Sequence, residues 1–415
     1  MLPRIQHLTH ALWSLVLLAC APAAASGPET HEVREERAAS VDCTPATAGG
    51  PERLDIASTA LGENRHVEVD LPASYAWATE RRYPVLYLLD GQTHGGHAVA
   101  SSEFLAAQGQ LPELIVVSVH STVRLRDFTQ TDWPQAWIGG GGAAHFTRFL
   151  ETELVPRIER DYRVAPYRIL AGHSASGQYV LHHLATRPAT FQAYLAMAPS
   201  LDWDGRLPIR ELESALSRAD RPSRFVYFAY GDDSEQALAD DLHLARVLGA
   251  AAPGSLRTQV RAFPGETHPA LPLLGVIDGL RALYAGYALP EDLAAKGLSA
   301  VDAHYAALSL QLGTPVGTPR AALTEVGSHL LGSGRVTEAI AVLERAAREN
   351  PSSANAWDNL AEALDQGARL EDALHASRRA VELATRFDLP HRASIERTLS
   401  RLQQKAESAV APRAD

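Results

Sequence analysis

Cysteine is nearly missing from this chain of 415 residues: only Cys20 and Cys43 occur. A disulfide-stapled scaffold is therefore excluded, and the fold must be held by its core. Net basic charge is missing too. The formal charge is -11, which offers no electrostatic footprint for nucleic acid or for an anionic membrane surface. Long apolar runs are also lacking, since the longest near the N-terminus, Ala11–Ala19, is too short to span a bilayer. What is present is ordinary for a globular protein, 46% hydrophobic and 21% charged residues, which excludes wholesale disorder. The length predicts two or three structural units.

The N-terminus reads as a targeting segment. Arg4 supplies a positive start, Ala11–Ala19 an apolar centre, and Ala23-Ala24-Ala25 a small-residue cleavage signal, which predicts a signal peptide over 1–25 and an exported protein, periplasmic or secreted. Leu17-Leu18-Ala19-Cys20 also resembles the lipobox of bacterial lipoproteins. A lipid anchor at Cys20 is thus the minority alternative, and a membrane span is not expected. Cleavage after Ala25 leaves Cys43 alone, with no motif around it.

Residues 26–50 lack apolar periodicity and read as a flexible leader. Over 51–288 strand and helix signals alternate, as in a mostly parallel α/β sheet. Val85–Leu89 and Leu114–Val119 are continuous apolar runs suited to strands buried on both faces, and Arg65–Leu71 alternates like an early half-buried strand. Tyr167–Gly172, Phe225–Tyr230 and Leu256–Phe263 supply further strands. Helical spacing covers Phe146–Ile158, the stretch after Ser174 through Leu184, and Glu235–Leu248. Strand signals then cease. A connecting helix and linker are expected over 289–320, helical repeats with a capping helix over 321–408, and a tail over 409–415. The repeat signal is a period of 34 residues. Arg335-Val336-Thr337-Glu338-Ala339-Ile340 recurs as Arg369-Leu370-Glu371-Asp372-Ala373-Leu374, and Gly327 and Ala346 map onto Ala361 and Ala380. That period resembles tetratricopeptide repeats and suggests a protein partner; a helical bundle without binding function is the competing reading.

Gly172-His173-Ser174-Ala175-Ser176 lies between an expected strand and an expected helix, the context of a nucleophile elbow. The competing reading of Ser174 is a helix N-cap. A serine hydroxyl needs a base, and the base an orienting acid, in the chain order Ser, acid, His for this architecture. His268, in Gly265-Glu266-Thr267-His268-Pro269 after the last strand, is the candidate base, against a plain surface histidine. Asp232, Asp233 and Glu235 follow the penultimate strand, and at least one of them should serve the turn and the N-cap of the next helix. Asp233 is favoured as the acid, Glu235 second. The backbone N–H groups of Ala175 and Gln92 are the candidate oxyanion donors, the latter after Leu89-Asp90-Gly91.

Together, Tyr83–Gly91, Arg126-Asp127-Phe128-Thr129, Tyr167–Ser174 and Gly265–His268 resemble the esterase family that includes siderophore esterases, with S-formylglutathione hydrolases and feruloyl esterases as more distant relatives. The resemblance covers about Leu54 to Tyr287. It implies an α/β-hydrolase fold and a cofactor-free serine esterase acting through an acyl-enzyme on siderophore-type or small acyl or aryl esters. Ser174 and His268 match the nucleophile and base, Gln92 and Ala175 the oxyanion donors, and Asp233 the less regular acid. Arg124 and Arg126 fall in the loop where such enzymes meet anionic substrate, or form a solvated loop pair. The family's second elbow glycine is Ser176 here. The rivals are a peptidase or acyltransferase on the same fold, and an inert hydrolase shell acting through the repeats. His94 with His97, and His182 with His183, lack the further ligands of a metal site and are read as structural or surface residues. Gly139–Gly142 is no phosphate loop, because no Lys-Ser/Thr follows, and reads instead as a mobile rim loop.

Overall fold

The computed structural model describes residues 50–133, 139–218, 222–251 and 256–410. The expected signal peptide, Cys20, Cys43 and nearly all of the leader lie outside these residues. The chain order is β1 (Glu52–Ser58), β2 (Glu63–Asp70), β3 (Tyr83–Leu89), α1 (Gly91–Ala107), β4 (Ile115–Val119), α2 (Arg124–Phe128), α3 (Ala143–Phe149) and α4 (Val155–Asp161). Then come β5 (Val164–His173), α5 (Ala175–Thr186), β6 (Ala193–Met197), α6 (Trp203–Leu216), β7 (Arg224–Tyr230), α7 (Glu235–Gly249), β8 (Leu256–Ala262) and α8 (Leu271–Leu283). An all-helical part follows: α9 (Leu298–Leu312), α10 (Arg320–Gly332), α11 (Val336–Glu349), α12 (Ala354–Gln366), α13 (Leu370–Arg386) and α14 (Arg392–Val410).

The eight strands form one sheet in the order β1-β2-β4-β3-β5-β6-β7-β8. Pairing is antiparallel at β1–β2 and β2–β4 and parallel from β4 onward. Alternation along β3 assigns its side chains to the two faces. Val85, Tyr87 and Leu89 join one core cluster, Leu86 and Leu88 the other. Because β3 and β5 are neighbours whose following helices lead to opposite sides, their carboxyl ends flank the topological switch point, where open α/β sheets form their crevice.

Two elements depart from expectation. Gly91–Ala107 is a helix although Gly91, Gly95 and Gly96 disfavour one. Packing reverses the preference: a Cβ on Gly91 would lie 2.5 Å from the Ser118 carbonyl carbon, and one on Gly95 2.7 Å from Ser118 Oγ. The helix can sit on β4 only without those side chains. The expected helix over Phe146–Ile158 is present but interrupted by a π-helical turn at Leu150–Leu154, just before Pro156, which lacks an N–H to donate.

The repeat helices pack as the 34-residue period requires. Gly327 is crossed by Leu343, while Ala361, Ala346 and Ala380 are buried. One apolar cluster runs from β3 and β5 through Leu280 of α8, then Tyr284 and Tyr287, to Val301, Tyr305, Val326 and Val342. A second joins Trp77 and Ala78 to Leu383, Leu389 and Ile395. Among the described residues no helix is long and apolar enough to cross a membrane.

Candidate active site

Ser174 sits between the end of β5 and the start of α5 with φ 60° and ψ -120°, a conformation that L-residues avoid. The surroundings hold it there: Ser174 N–H donates to Met197 O at 3.0 Å, and Ser174 O accepts from Ser200 N–H at 3.1 Å. A side chain at Gly172 would strike Ser176 O at 2.5 Å, and one at Gly177 would meet Met197 O at 3.0 Å, so both glycines are required by the closeness of α5 to β5 and β6. Ser174 makes no side-chain cap bond to its helix. The half-exposed hydroxyl instead faces Ser200 Oγ at 3.4 Å.

The departure at Ser176 has a structural explanation. Its hydroxyl is buried, accepts His173 N–H at 2.9 Å and donates to Asp90 Oδ2 at 2.7 Å. Asp90, at φ 56°, ends β3 and is 1% exposed. Arg124 grips it bidentately, Nε to Oδ1 at 2.8 Å and Nη2 to Oδ2 at 2.9 Å. A buried ion pair thus ties the end of β3 to the elbow, and Asp90 raises the Arg124 pKa by that hydrogen bonding. Arg126 is engaged as well, by Glu63 at 2.7 and 3.0 Å and by Asp127 at 2.8 Å. Asp127 also receives Arg65, an arginine with no exposed surface whose guanidinium lies against the Phe146 and Phe149 rings. Both arginines expected to meet substrate therefore have intramolecular carboxylate partners.

Asp233 and His268 come together across 35 residues of chain: Asp233 Oδ2 lies 3.1 Å from His268 Nδ1. The neighbouring carboxylates do other things. Asp232 Oδ2 accepts the Gly265 N–H at 2.7 Å and pins the base of the His268 loop. Glu235 opens α7, whose cap is Ser234, bonded to Ala237 N–H, and not one of the three carboxylates as expected. Gly231 lets β7 and the His268 loop touch, since a Cβ there would lie 2.4 Å from Glu266 O. His268 Nε2 is left free by the Asp233 contact. Among the described residues no hydrogen bond joins it to Ser174 Oγ, as is common in a site without substrate.

Gln92 and Ala175 occupy the first turns of α1 and α5, where backbone N–H groups have no intrahelical acceptor and helix dipoles favour developing negative charge. The Gln92 side chain is used elsewhere, accepting Ser121 N–H at 3.0 Å. His173 and His94 carry no sequence motif that marks a site role of their own. His173 is buried, and its ring centroid lies 4.6 Å from that of His268 and 5.5 Å from that of His94, which in turn contacts His97. His97 and His94 have lowered pKa values, first of all through burial. No set of three or more His, Cys, Asp and Glu residues placed to hold a metal ion occurs among the described residues.

Comparison with known proteins places the chain among esterases. The profile described as "Putative esterase" matches residues 58–268, about half of the chain, and a tetratricopeptide repeat profile matches 320–363. The ferri-bacillibactin esterase of Bacillus subtilis is 31% identical over 222 residues, covering 46% of this chain and 76% of that protein. The crystal structure of an IroE-like serine hydrolase from Shewanella oneidensis superposes with a TM-score of 0.65 at 29% identity, covering 72% of this chain and 99% of that one. An uncharacterised protein from Capnocytophaga ochracea, 18% identical, shares the fold over 85% of this chain and 99% of its own, with a TM-score of 0.57. Matched by the family profile over its α/β part and by esterase relatives, the chain belongs to the putative esterase family and is an α/β-fold serine carboxylic ester hydrolase with tetratricopeptide-type helices behind it.

Proposed function

We propose that Ser174, His268 and Asp233 act as nucleophile, base and orienting acid, and that ester cleavage passes through an acyl-Ser174 intermediate. His268 Nε2 takes the Ser174 proton as Oγ attacks the ester carbonyl, the N–H groups of Ala175 and Gln92 receive the oxyanion, and the leaving alcohol takes the proton from His268. Water, deprotonated by His268, then releases the acid. The observation that carries this reading is the Ser174 backbone at φ 60°, held by packing on both sides. That strain costs on the order of 1–3 kcal/mol and presents a hydroxyl to the crevice, whereas an N-cap requires neither. Arg124 and Arg126 are given a scaffolding role here, because their guanidiniums are held by Asp90 and by Glu63 with Asp127.

The substrate class we propose is the siderophore-type ester, supported by the likeness to the ferri-bacillibactin esterase. Export, to the periplasm or beyond, is proposed from Arg4, the apolar stretch and Ala23–Ala25. The repeat helices are proposed to bind a protein partner. The test runs wild type beside Ser174→Ala with a fluorophosphonate label, p-nitrophenyl esters of short and long acids, and a ferric catecholate lactone. Labelling and turnover in wild type alone are expected. Equal rates in both proteins would refute the triad, and preference for amides or for an acyl acceptor over water would reassign the reaction.

A further inference from the structure

The residue before the nucleophile reaches across the crevice to the base. His173 Nε2 lies 2.8 Å from the backbone carbonyl oxygen of His268. A carbonyl only accepts, so His173 carries its proton on Nε2 and donates it. The residue is held at several points: its backbone N–H by Ser176 Oγ, its backbone carbonyl 3.4 Å from Arg124 Nη2, and its ring packed at centroid distances of 5.5 Å to His94 and 4.6 Å to His268. The groups that face it electrostatically are His268, His94 and Arg124, none of which favours a second proton. Burial, first of all, and these neighbours lower its pKa to about 3, so the ring stays neutral wherever an ester hydrolase works. A charged ring here would disfavour the imidazolium that His268 must become.

We infer that His173 is a positioning residue for the base: its Nε2–H···O=C bond to His268 fixes the loop at Gly265–Pro269 relative to the elbow, so that one rigid ring sets the distance between nucleophile and base. The loop needs such a tie. It is anchored at its start by Asp232 and at His268 by Asp233, but His268 itself is half-exposed and followed by two exposed residues. The tie also explains why the elbow's second small position is a serine, since Ser176 holds His173 while binding Asp90. This inference rests on the triad proposed above.

The experiment compares His173→Leu, which keeps bulk and loses the donor, with His173→Gln, whose amide nitrogen reaches about as far as Nε2. Two readouts are taken: kcat and KM on p-nitrophenyl acetate, and hydrogen exchange of the peptide spanning 263–271. We expect H173L to lower kcat on the order of 10- to 100-fold with KM changed less than about twofold, because misplaced reacting groups cost rate rather than binding. Its 263–271 amides should exchange faster. H173Q should recover both most of kcat and the protection. Equal losses in the two variants, or unchanged kcat and exchange in H173L, would overturn the inference. If wild type and Ser174→Ala hydrolyse the ester alike, the triad itself has failed, and exchange of the 263–271 peptide still decides whether His173 holds the loop.

Discussion

Replacing Arg124 by alanine should destabilise this protein far more than removing an arginine from a loop usually does. The reason is its partner. Asp90 is 1% exposed and receives three hydrogen bonds, two from Arg124 and one from Ser176. Without Arg124 the carboxylate retains only the serine. Removing one member of a buried ion pair costs about 3–5 kcal/mol. The Arg124 side chain is 42% exposed, so water can follow it out, and the lower end, about 3 kcal/mol, is the appropriate figure. That should lower the thermal midpoint on the order of 5–10 °C. The companion variant separates charge from packing. Asp90→Asn keeps the shape and tolerates the left-handed backbone at φ 56°, so the double variant D90N/R124A should recover most of the loss. The assay is thermal and urea unfolding of the four proteins. Losses that simply add, or an R124A midpoint within about 1 °C of wild type, would show that Arg124 is a solvated loop residue and that Asp90 is satisfied without it.

Three further outcomes are expected. Asp233→Asn should leave unfolding nearly unchanged but lower kcat on the order of 10³-fold or more, because an amide can hold the imidazole in the wrong tautomer; a loss below tenfold would move the acid to another carboxylate. Asp241 is buried, and burial, then Asp233 and Asp240, push its pKa up to about 7. A carboxyl raised above its unfolded value contributes stability that is full below about pH 4 and is lost as pH rises through 7. Asp241→Asn should therefore match wild type near pH 4 and exceed it by on the order of 2–4 kcal/mol at pH 8, measured by urea midpoints; a destabilised D241N at pH 8 would contradict this. Gly327→Val places a Cβ 2.7 Å from the Leu343 side chain and should cost about 1–3 kcal/mol in unfolding experiments, while Gly332→Ala, with nothing within 4 Å, should cost nothing measurable.

What could be read in the amino-acid sequence was whatever repeats or runs locally. Val85–Leu89 and Leu114–Val119 are visible as strands because both faces are buried, and the 34-residue period places α11 and α13. Two strands went unread, β1 and β6. In β6, Ala193-Tyr194-Leu195-Ala196-Met197 has few β-branched residues, and its state follows from pairing with β5 and β7. Helix α1 was hidden by its glycines, whose purpose is apparent only once Ser118 lies against them. The same division runs through the site. Ser174 and His268 stand in motifs that single them out in the sequence as candidates. Asp233 could not be separated from Asp232 and Glu235 by spacing, since adjacent carboxylates are told apart only by which one meets the imidazole.

Two arginines of α2 and a histidine beside Ser174 show how burial decides which side chains are engaged within the fold. Arg124 and Arg126 look available in a linear reading because a charged side chain in a loop is solvated by default. In the fold, Asp90, Glu63 and Asp127 stand within hydrogen-bond reach of them, and a carboxylate as buried as Asp90 or Asp127 requires a cation. His94 looks inert because, with His97, it lacks the further ligands of a metal site, and His173 stands in the sequence only as the residue before Ser174. Yet a neutral imidazole suits the space beneath a nucleophile elbow, since it donates one directed hydrogen bond without bringing a charge beside the base. Charge in this molecule thus joins β3, α2 and the turn at Ser174, while the proposed base is met by a neutral donor. The Arg124 and Arg126 side chains are 42% and 36% exposed, so a role toward an anionic substrate is separable from the scaffold by experiment: replacing either arginine should lower stability whether or not it changes substrate preference.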